Sequence, residues 1–331
     1  MSEDNQPAFA AFLKQTGWRC EAPVSCDVSP RRYYRVSGKG AQAILMDASA
    51  AEDRCEIFDF IRIASWLNDT GLKAPEIFDA APEDGFLILE DFGDISFGAA
   101  LATENPALLY ETARSVLAHM ARQDSVSLAL PDFFESAIYK KRDQFIEWYA
   151  PLVRPGAQNA LDGYRAVWTE IESALPPCPQ GFVHGDYHAE NLMRLPGALL
   201  PDLKSLGLLD FQSALYGPLP YDLGNLLEDA RRDIPCDLRE EALSGYDEPF
   251  LLWYRVLTTQ FHCRVAGLFI KLAAEQGRSE YLIHVPRLQR YIAEALETPV
   301  LEPLKRFLTQ EGIHTDVPLD LSGLALAAKE A

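Results

Sequence analysis

Apolar positions along the chain first alternate with polar ones and then recur at helical spacing. Over residues 18–36 turn residues alternate with Tyr and Val, and residues 42–46 continue as an apolar run, which predicts the start of a small antiparallel sheet. Over residues 51–68 the apolar positions Cys55, Phe58, Phe60, Ile61, Ile63, Ala64 and Leu67 follow the period of a helix. Gly71 lies just beyond, where a left-handed C-cap falls. Two further strand-like runs occupy residues 76–80 and 86–90, and Asp91-Phe92-Gly93-Asp94 reads as a linker turning at its glycine. Amphipathic segments follow over residues 106–122 and 133–149. The rest reads as mostly helical, interrupted by short strands at Gly181-Phe182-Val183 and just before Asp210. The pattern predicts an α+β chain with a small sheet-bearing part, residues 1–91, and a larger, mainly helical part, residues 92–331.

The chemistry sits beside those two short strands. His184-Gly185-Asp186-Tyr187-His188-Ala189-Glu190-Asn191 is followed by Leu208-Leu209-Asp210-Phe211-Gln212. Phosphoryl transfer in kinases uses an Asp that accepts the proton of the acceptor hydroxyl and an Asn that holds a metal ion. A later Asp, after a strand, holds Mg2+ between phosphates. Asp186, Asn191 and Asp210 stand in that order, and four residues separate Asp186 from Asn191, so both project from one loop. Taken singly, His-Gly-Asp is a turn and Leu-Leu-Asp a strand end with a surface acid. The two in this order, each behind a strand, favour the phosphoryl-transfer reading.

At these residues the chain resembles the aminoglycoside phosphotransferase family, a small-molecule branch of the protein-kinase-like superfamily. Gly185 stands where protein kinases carry Arg, which argues against a protein substrate. Within the family, the segments from Asp27 to Val36, Leu209 to Ala214 and Tyr216 to Leu223 look most like the bacterial anomeric kinases of N-acetylmuramate and N-acetylglucosamine. The resemblance implies a bilobal protein-kinase-like fold, with a small antiparallel-sheet nucleotide-binding lobe over residues 1–91. A larger, mainly helical catalytic and acceptor-binding lobe follows over residues 92–331. ATP and Mg2+ are the implied cofactors, with Asp186 as base and Asn191 and Asp210 as metal ligands. It also implies that Asp222 accepts backbone amides of the catalytic loop, and that the product is a sugar 1-phosphate for cell-wall precursor recycling. Antibiotic aminoglycoside phosphotransferases and choline- or homoserine-type kinases are the alternatives. A different class again is a non-catalytic nucleotide-binding regulator.

The chain departs from the kinase pattern in its nucleotide-binding half. The phosphate-covering loop is expected at Ser25-Cys26-Asp27-Val28-Ser29-Pro30-Arg31-Arg32, which contains no glycine, and Met46 stands where the β3 lysine belongs. Another cation is therefore expected at the ATP phosphates, and Arg31 or Arg32 is the candidate. Glu52 and Glu56 lie near the place of the helix glutamate that pairs with that lysine; with the lysine gone, they read as exposed helix charges. Asp91-Phe92-Gly93 spells the metal motif of protein kinases but lies far upstream of Asp186. Residues 87–90 are read instead as the last strand of the first lobe, with Glu90 contacting adenine through its backbone. His184 reads as a packed residue behind the loop, while His188 could face substrate or solvent.

Acceptor specificity is expected in residues 226–232 and 250–262. Glu228 and Asp229 would suit amines, and Arg231 and Arg232 a carboxylate. Trp253, Tyr254 and Phe261 at helical spacing are read as core before sugar platform.

Composition narrows the remaining classes. A formal charge of -19 excludes nucleic acid as a partner, since phosphate backbones are bound by Lys and Arg clusters, and is read mainly as a solubility feature. With 331 residues, 48% of them hydrophobic, the chain can bury a large core. It shows no apolar run of roughly 18 residues and no signal-peptide pattern, so a cytoplasmic, membrane-free enzyme is expected. Cys20, Cys26, Cys55, Cys178, Cys236 and Cys263 form no C-x-x-C pair and read as reduced structural thiols. The expected partner is a small hydroxyl-bearing molecule, and no protein partner is inferred.

Overall fold

The computed structural model describes residues 6–24, 31–49 and 56–321. Ser25 to Pro30, most of the expected phosphate-covering loop, lie outside the described residues, as do Glu52 and Cys55. The strands are β1 (Trp18–Val24), β2 (Arg32–Gly38), β3 (Ala41–Asp47), β4 (Ile77–Ala81), β5 (Phe86–Glu90), β6 (Gln180–Val183), β7 (Leu192–Arg194), β8 (Leu206–Leu208) and β9 (Leu215–Pro218). By compactness the chain divides into two units, residues 1–129 with 188–214, and residues 130–187 with 215–331.

The first unit is built on an antiparallel sheet of order β1-β2-β3-β5-β4. Lys39 and Gly40, at φ 52° and 81°, make the two-residue turn between β2 and β3, and the pair Gly38 and Ala41 sets the register of that hairpin. Val36, Ala43, Leu45 and Ile88 are fully buried against an N-terminal helix, Gln6–Thr16. Phe12 stacks on Phe86 at 5.5 Å, and Phe9 meets Tyr34 edge-on at 5.3 Å. Phe9, Phe12 and Leu13 recur at helical spacing, a signal absent from the expectation above. The described part of the second helix is Glu56–Asp69, with Ile57, Phe60, Ile63, Ala64 and Leu67 buried. It ends at left-handed Gly71, whose N–H donates to Asn68 O. The β7–β8 hairpin joins this unit through Leu208 N–H to Lys73 O at 2.8 Å and Arg194 N–H to Ile95 O at 2.8 Å. Those bonds are what group residues 188–214 with the sheet.

The second unit pairs β6 with β9 antiparallel and packs them among helices. Its core gathers Phe145, Tyr149, Tyr164, Trp168, Phe269 and Leu288. The long helix Glu248–Gln276 runs through it, ending at left-handed Gly277. The amphipathic segment expected over residues 133–149 is broken: a helical turn at Ala137–Lys140 is followed by a 3-10 turn at Lys141–Asp143 and a π-helical turn at Phe145–Tyr149. The break follows from close packing on Gly267, where an added Cβ would stand 2.2 Å from Gln144 O and 2.8 Å from Phe145 N. No helix among the described residues is long and apolar enough to cross a membrane.

Because the atoms facing Gly267 are backbone and cannot rotate away, Gly267→Ala is expected to destabilise the protein by roughly 1–3 kcal/mol despite its better helix propensity. Urea unfolding checks this, and a stabilised variant would contradict the packing.

Candidate active site

The loop after β6 is held by one buried carboxylate. Val183 ends β6 in pairing with Leu215, and the chain then turns through Gly185 at φ 87°. Asp222, 2% exposed on the helix Pro220–Leu227, accepts His184 N–H through Oδ2 at 2.6 Å and Gly185 N–H through Oδ1 at 2.9 Å. This is the supporting role the resemblance implied. His184 is buried, and its Nδ1 accepts Asp186 N–H at 3.3 Å, which assigns the ring proton to Nε2. Tyr187 packs edge-on against the same ring at 5.6 Å. These contacts leave the Asp186 side chain exposed at the tip of an otherwise buried turn. Burial pushes the Asp222 carboxyl up to about 7 even though the two amides favour its charged form, and the nearby Asp186 adds to the rise.

Asn191 and Asp210 lie together in the first unit, at the open end of the β7–β8 hairpin. Leu192 pairs with Leu208, and Leu209 N–H donates to Asn191 O at 3.0 Å, so the residues flanking the last rung carry the amide and the carboxylate. Asp210 adopts the left-handed conformation, φ 58° and ψ 29°, a strained choice that Asp tolerates better than most residues. Phe211 fixes this turn by packing on Phe60 at 4.8 Å. His188 does not face open solvent: it is buried, its Nε2 lies 3.3 Å from Asn191 Nδ2, and its Nδ1 accepts Glu190 N–H. The donor set suits a hard cation such as Mg2+. An amide oxygen and a carboxylate are the oxygen donors that such a cation takes.

Met46 is buried in β3, between Tyr33 on β2 and Leu87 on β5. Arg31 is 6% exposed and forms an ion pair with Glu56 in the first turn of the helix Glu56–Asp69. Burial opposes its charge, but Tyr33, Glu56 and Asp210 together outweigh that and hold the guanidinium more firmly protonated. The reading of Glu56 as a solvated helix charge is therefore corrected, because its carboxylate is engaged by a buried arginine. Arg32 is half-buried at the start of β2, opposite Asp47 in the register. Glu90 donates its N–H to Glu76 O at 2.8 Å, and its side chain pairs with Lys73 at 2.5 Å. Asp91 is tied to Arg35 at 2.8 Å and to Gly93 N–H at 2.8 Å, so this motif is a pinned turn.

In the expected acceptor region, Glu228 is buried and taken by Tyr254 Oη at 3.0 Å, with Arg255 at 3.4 Å and Arg239 at 3.8 Å. It is not displayed to an amine. Arg231 and Arg232 both lie on buried Asp229, at 4.0 Å and 3.4 Å. Trp253 and Tyr254 are core, as their spacing suggested, and Trp253 Nε1 donates to Pro176 O at 2.7 Å.

The raised Asp222 fixes the sign of a pH effect. Between about pH 4 and 7 the unfolded chain has released a proton that folded Asp222 keeps, so this group's contribution to stability is lost as pH rises through that window. The stability gap between wild type and Asp222→Asn is accordingly expected to be larger at pH 5 than at pH 8. Parallel urea titrations check it, and a gap that grows with pH would contradict the assignment.

Residues 22–257 match the model of the APH family, described as the phosphotransferase enzyme family. The chain is similar to an N-acetylmuramate/N-acetylglucosamine kinase of Caulobacter vibrioides, 30% identical over 92% of this chain and 96% of that one. A protein of the same name from Pseudomonas aeruginosa is 31% identical over 83% of each chain. Among solved structures, a choline/ethanolamine kinase family protein from Mesorhizobium loti superposes with a TM-score of 0.60, at 14% identity and 92% and 95% coverage. The GDP complex of aminoglycoside 2'-phosphotransferase-IIIa superposes with a TM-score of 0.59, at 14% identity, covering 88% of this chain and 99% of that one. The fold is thus protein-kinase-like. With these matches spanning most of its length, the chain belongs to the phosphotransferase enzyme family and is an ATP-dependent phosphotransferase.

Proposed function

We propose that the protein transfers the γ-phosphoryl group of ATP to the anomeric hydroxyl of an amino sugar, N-acetylmuramate or N-acetylglucosamine, as part of cell-wall recycling. The observation that carries this reading is the set of Asp186, Asn191 and Asp210, each held in place by its own buried support, in a chain about 30% identical to kinases named for those sugars. Asp186 orients the acceptor hydroxyl and takes its proton late in the transfer, since a carboxylate cannot deprotonate a free alcohol outright at neutral pH. Asn191 and Asp210 would hold Mg2+, which when bound would supply neutralisation of charge on the transferring group. Residues 1–91 serve as the nucleotide-binding lobe, with the Glu90 carbonyl toward adenine, and residues 92–331 carry catalysis and acceptor binding. Burial of Glu228 against three donors weighs against an amine-directed acceptor site, and so against the aminoglycoside alternative.

Arg31, rather than Arg32, supplies the cation that the β3 lysine gives other kinases. It is the buried member of the pair, it is oriented by a helix glutamate, and it lies in the field of Asp210. Both arginines remain in the nucleotide site in this reading, with Arg32 at its edge.

Asp186→Asn is expected to bind Mg2+-ATP while losing turnover, and Asp210→Asn to lose Mg2+-dependent binding as well, measured by calorimetry beside a coupled assay. An active Asp186→Asn enzyme would remove the base. Arg31→Met is expected to cost roughly 100-fold in kcat, more than Arg32→Met does, with Glu56→Gln giving part of the same loss. Equal and small effects of both arginine changes would leave the lysine without a replacement.

A further inference from the structure

One face of the helix Glu248–Gln276 carries Trp253, Leu257, Phe261 and Arg264 at spacings of four and three. The first two pack with Phe133, Val183, Leu215 and Tyr221, and Phe261 lies partly buried against them. Arg264 ends this apolar stripe, half-buried. Its Nη2 donates to Tyr221 Oη at 3.2 Å, and its guanidinium lies 5.6 Å from the centre of the Phe261 ring. Its Nε–H is buried without a hydrogen-bond partner, and no described carboxylate lies within ion-pair distance.

That is unusual company for an arginine in this unit. Arg142 lies on Glu172, Arg239 and Arg255 on Glu228, Arg231 and Arg232 on Asp229, and Arg287 and Arg290 on Asp233. A chain with 49 acids and 30 bases has acids to spare, yet Arg264 is left with a neutral phenol and an aromatic face. A partly desolvated guanidinium without a counterion is costly unless a ligand supplies the charge. Its location says which ligand. Tyr221 adjoins Asp222, which clamps the loop of Asp186. Burial raises the Tyr221 hydroxyl's pKa, Arg264 opposes the rise, and Asp186 and Asp222 add to it. Arg264 therefore stands near the group that receives the acceptor. A cavity of about 10 Å³, room for one water, lies among Arg264, Tyr221, Gln260 and Phe261.

We propose that Arg264 is a specificity residue that binds a carboxylate on the acceptor, favouring an amino sugar with an acidic substituent over its neutral parent. This rests on the amino-sugar reading above and assigns the carboxylate to Arg264 in place of Arg231 and Arg232, whose charges Asp229 already answers. A second anion passes close to Asp186 in that reaction, the transferring phosphoryl group, and the test separates the two.

The measurement is kcat/KM on N-acetylmuramate and on N-acetylglucosamine for wild type, Arg264→Gln and Arg264→Lys. The ratio of the two constants is expected to fall about 30-fold in Arg264→Gln, mostly through KM for the carboxylated sugar, and to recover partly in Arg264→Lys. If Arg264→Gln does not fold, Arg264→Lys alone still carries the test, with a smaller drop in the same ratio. An unchanged ratio, with both constants falling together, would assign Arg264 to the phosphoryl group or to packing and overturn the proposal. So would a wild type that phosphorylates only the neutral sugar. A wild type inert on both sugars would instead sink the amino-sugar reading on which the proposal stands.

Discussion

Two hydrogen bonds to one buried carboxylate hold the loop after β6. Asp222 takes the N–H groups of His184 and Gly185 in the turn that exposes Asp186. A turn that leaves two consecutive amides pointing inward needs an acceptor on the inside, because buried unpaired amides are costly. A carboxylate there accepts both at once. Its burial raises its own pKa, so the loop is held by a group poised between charged and neutral forms near pH 7. The remaining features near Asp186 follow from this anchor: His184 packs behind the loop, Tyr187 packs on His184, and Tyr221 is carried beside Asp186 by the helix that also carries Asp222.

Asn191 and Asp210 are positioned by a different device. Asn191 and Asp210 are brought side by side by the last rung of a short hairpin, and the left-handed backbone of Asp210 turns the chain after its strand. That strain is retained because Phe211 is buried against the helix Glu56–Asp69. The same helix carries the glutamate that pairs with Arg31, so one element supports both Asp210 and Arg31.

What the sequence disclosed depends on how local the signal was. Asp186, Asn191 and Asp210 could be named because a fixed spacing and two short strands frame them, and β5 and Gly71 were legible from apolar runs and a C-cap glycine. The interrupted helix after Phe133 was not legible, since its cause is the approach of Gly267, more than a hundred residues away, to the backbone at Gln144. The engagement of Glu56 is not legible for a related reason. A carboxylate at the start of a helix looks solvated until a buried arginine from another element is found beside it. Arg264 carries no sequence signal, because an arginine on a helix gives no sign of whether an acid will meet it. The N-terminal helix Gln6–Thr16 does have one, in the spacing of Phe9, Phe12 and Leu13.

In the proposed reaction phosphate passes from ATP to the anomeric oxygen of an amino sugar. Phosphorus NMR of the products of Mg2+-ATP with N-acetylmuramate or N-acetylglucosamine tests it most directly. The account predicts a phosphomonoester signal coupled to the anomeric proton, growing with ADP in equal amounts. ADP accompanied only by inorganic phosphate, or a phosphomonoester coupled to a different sugar proton, would contradict it.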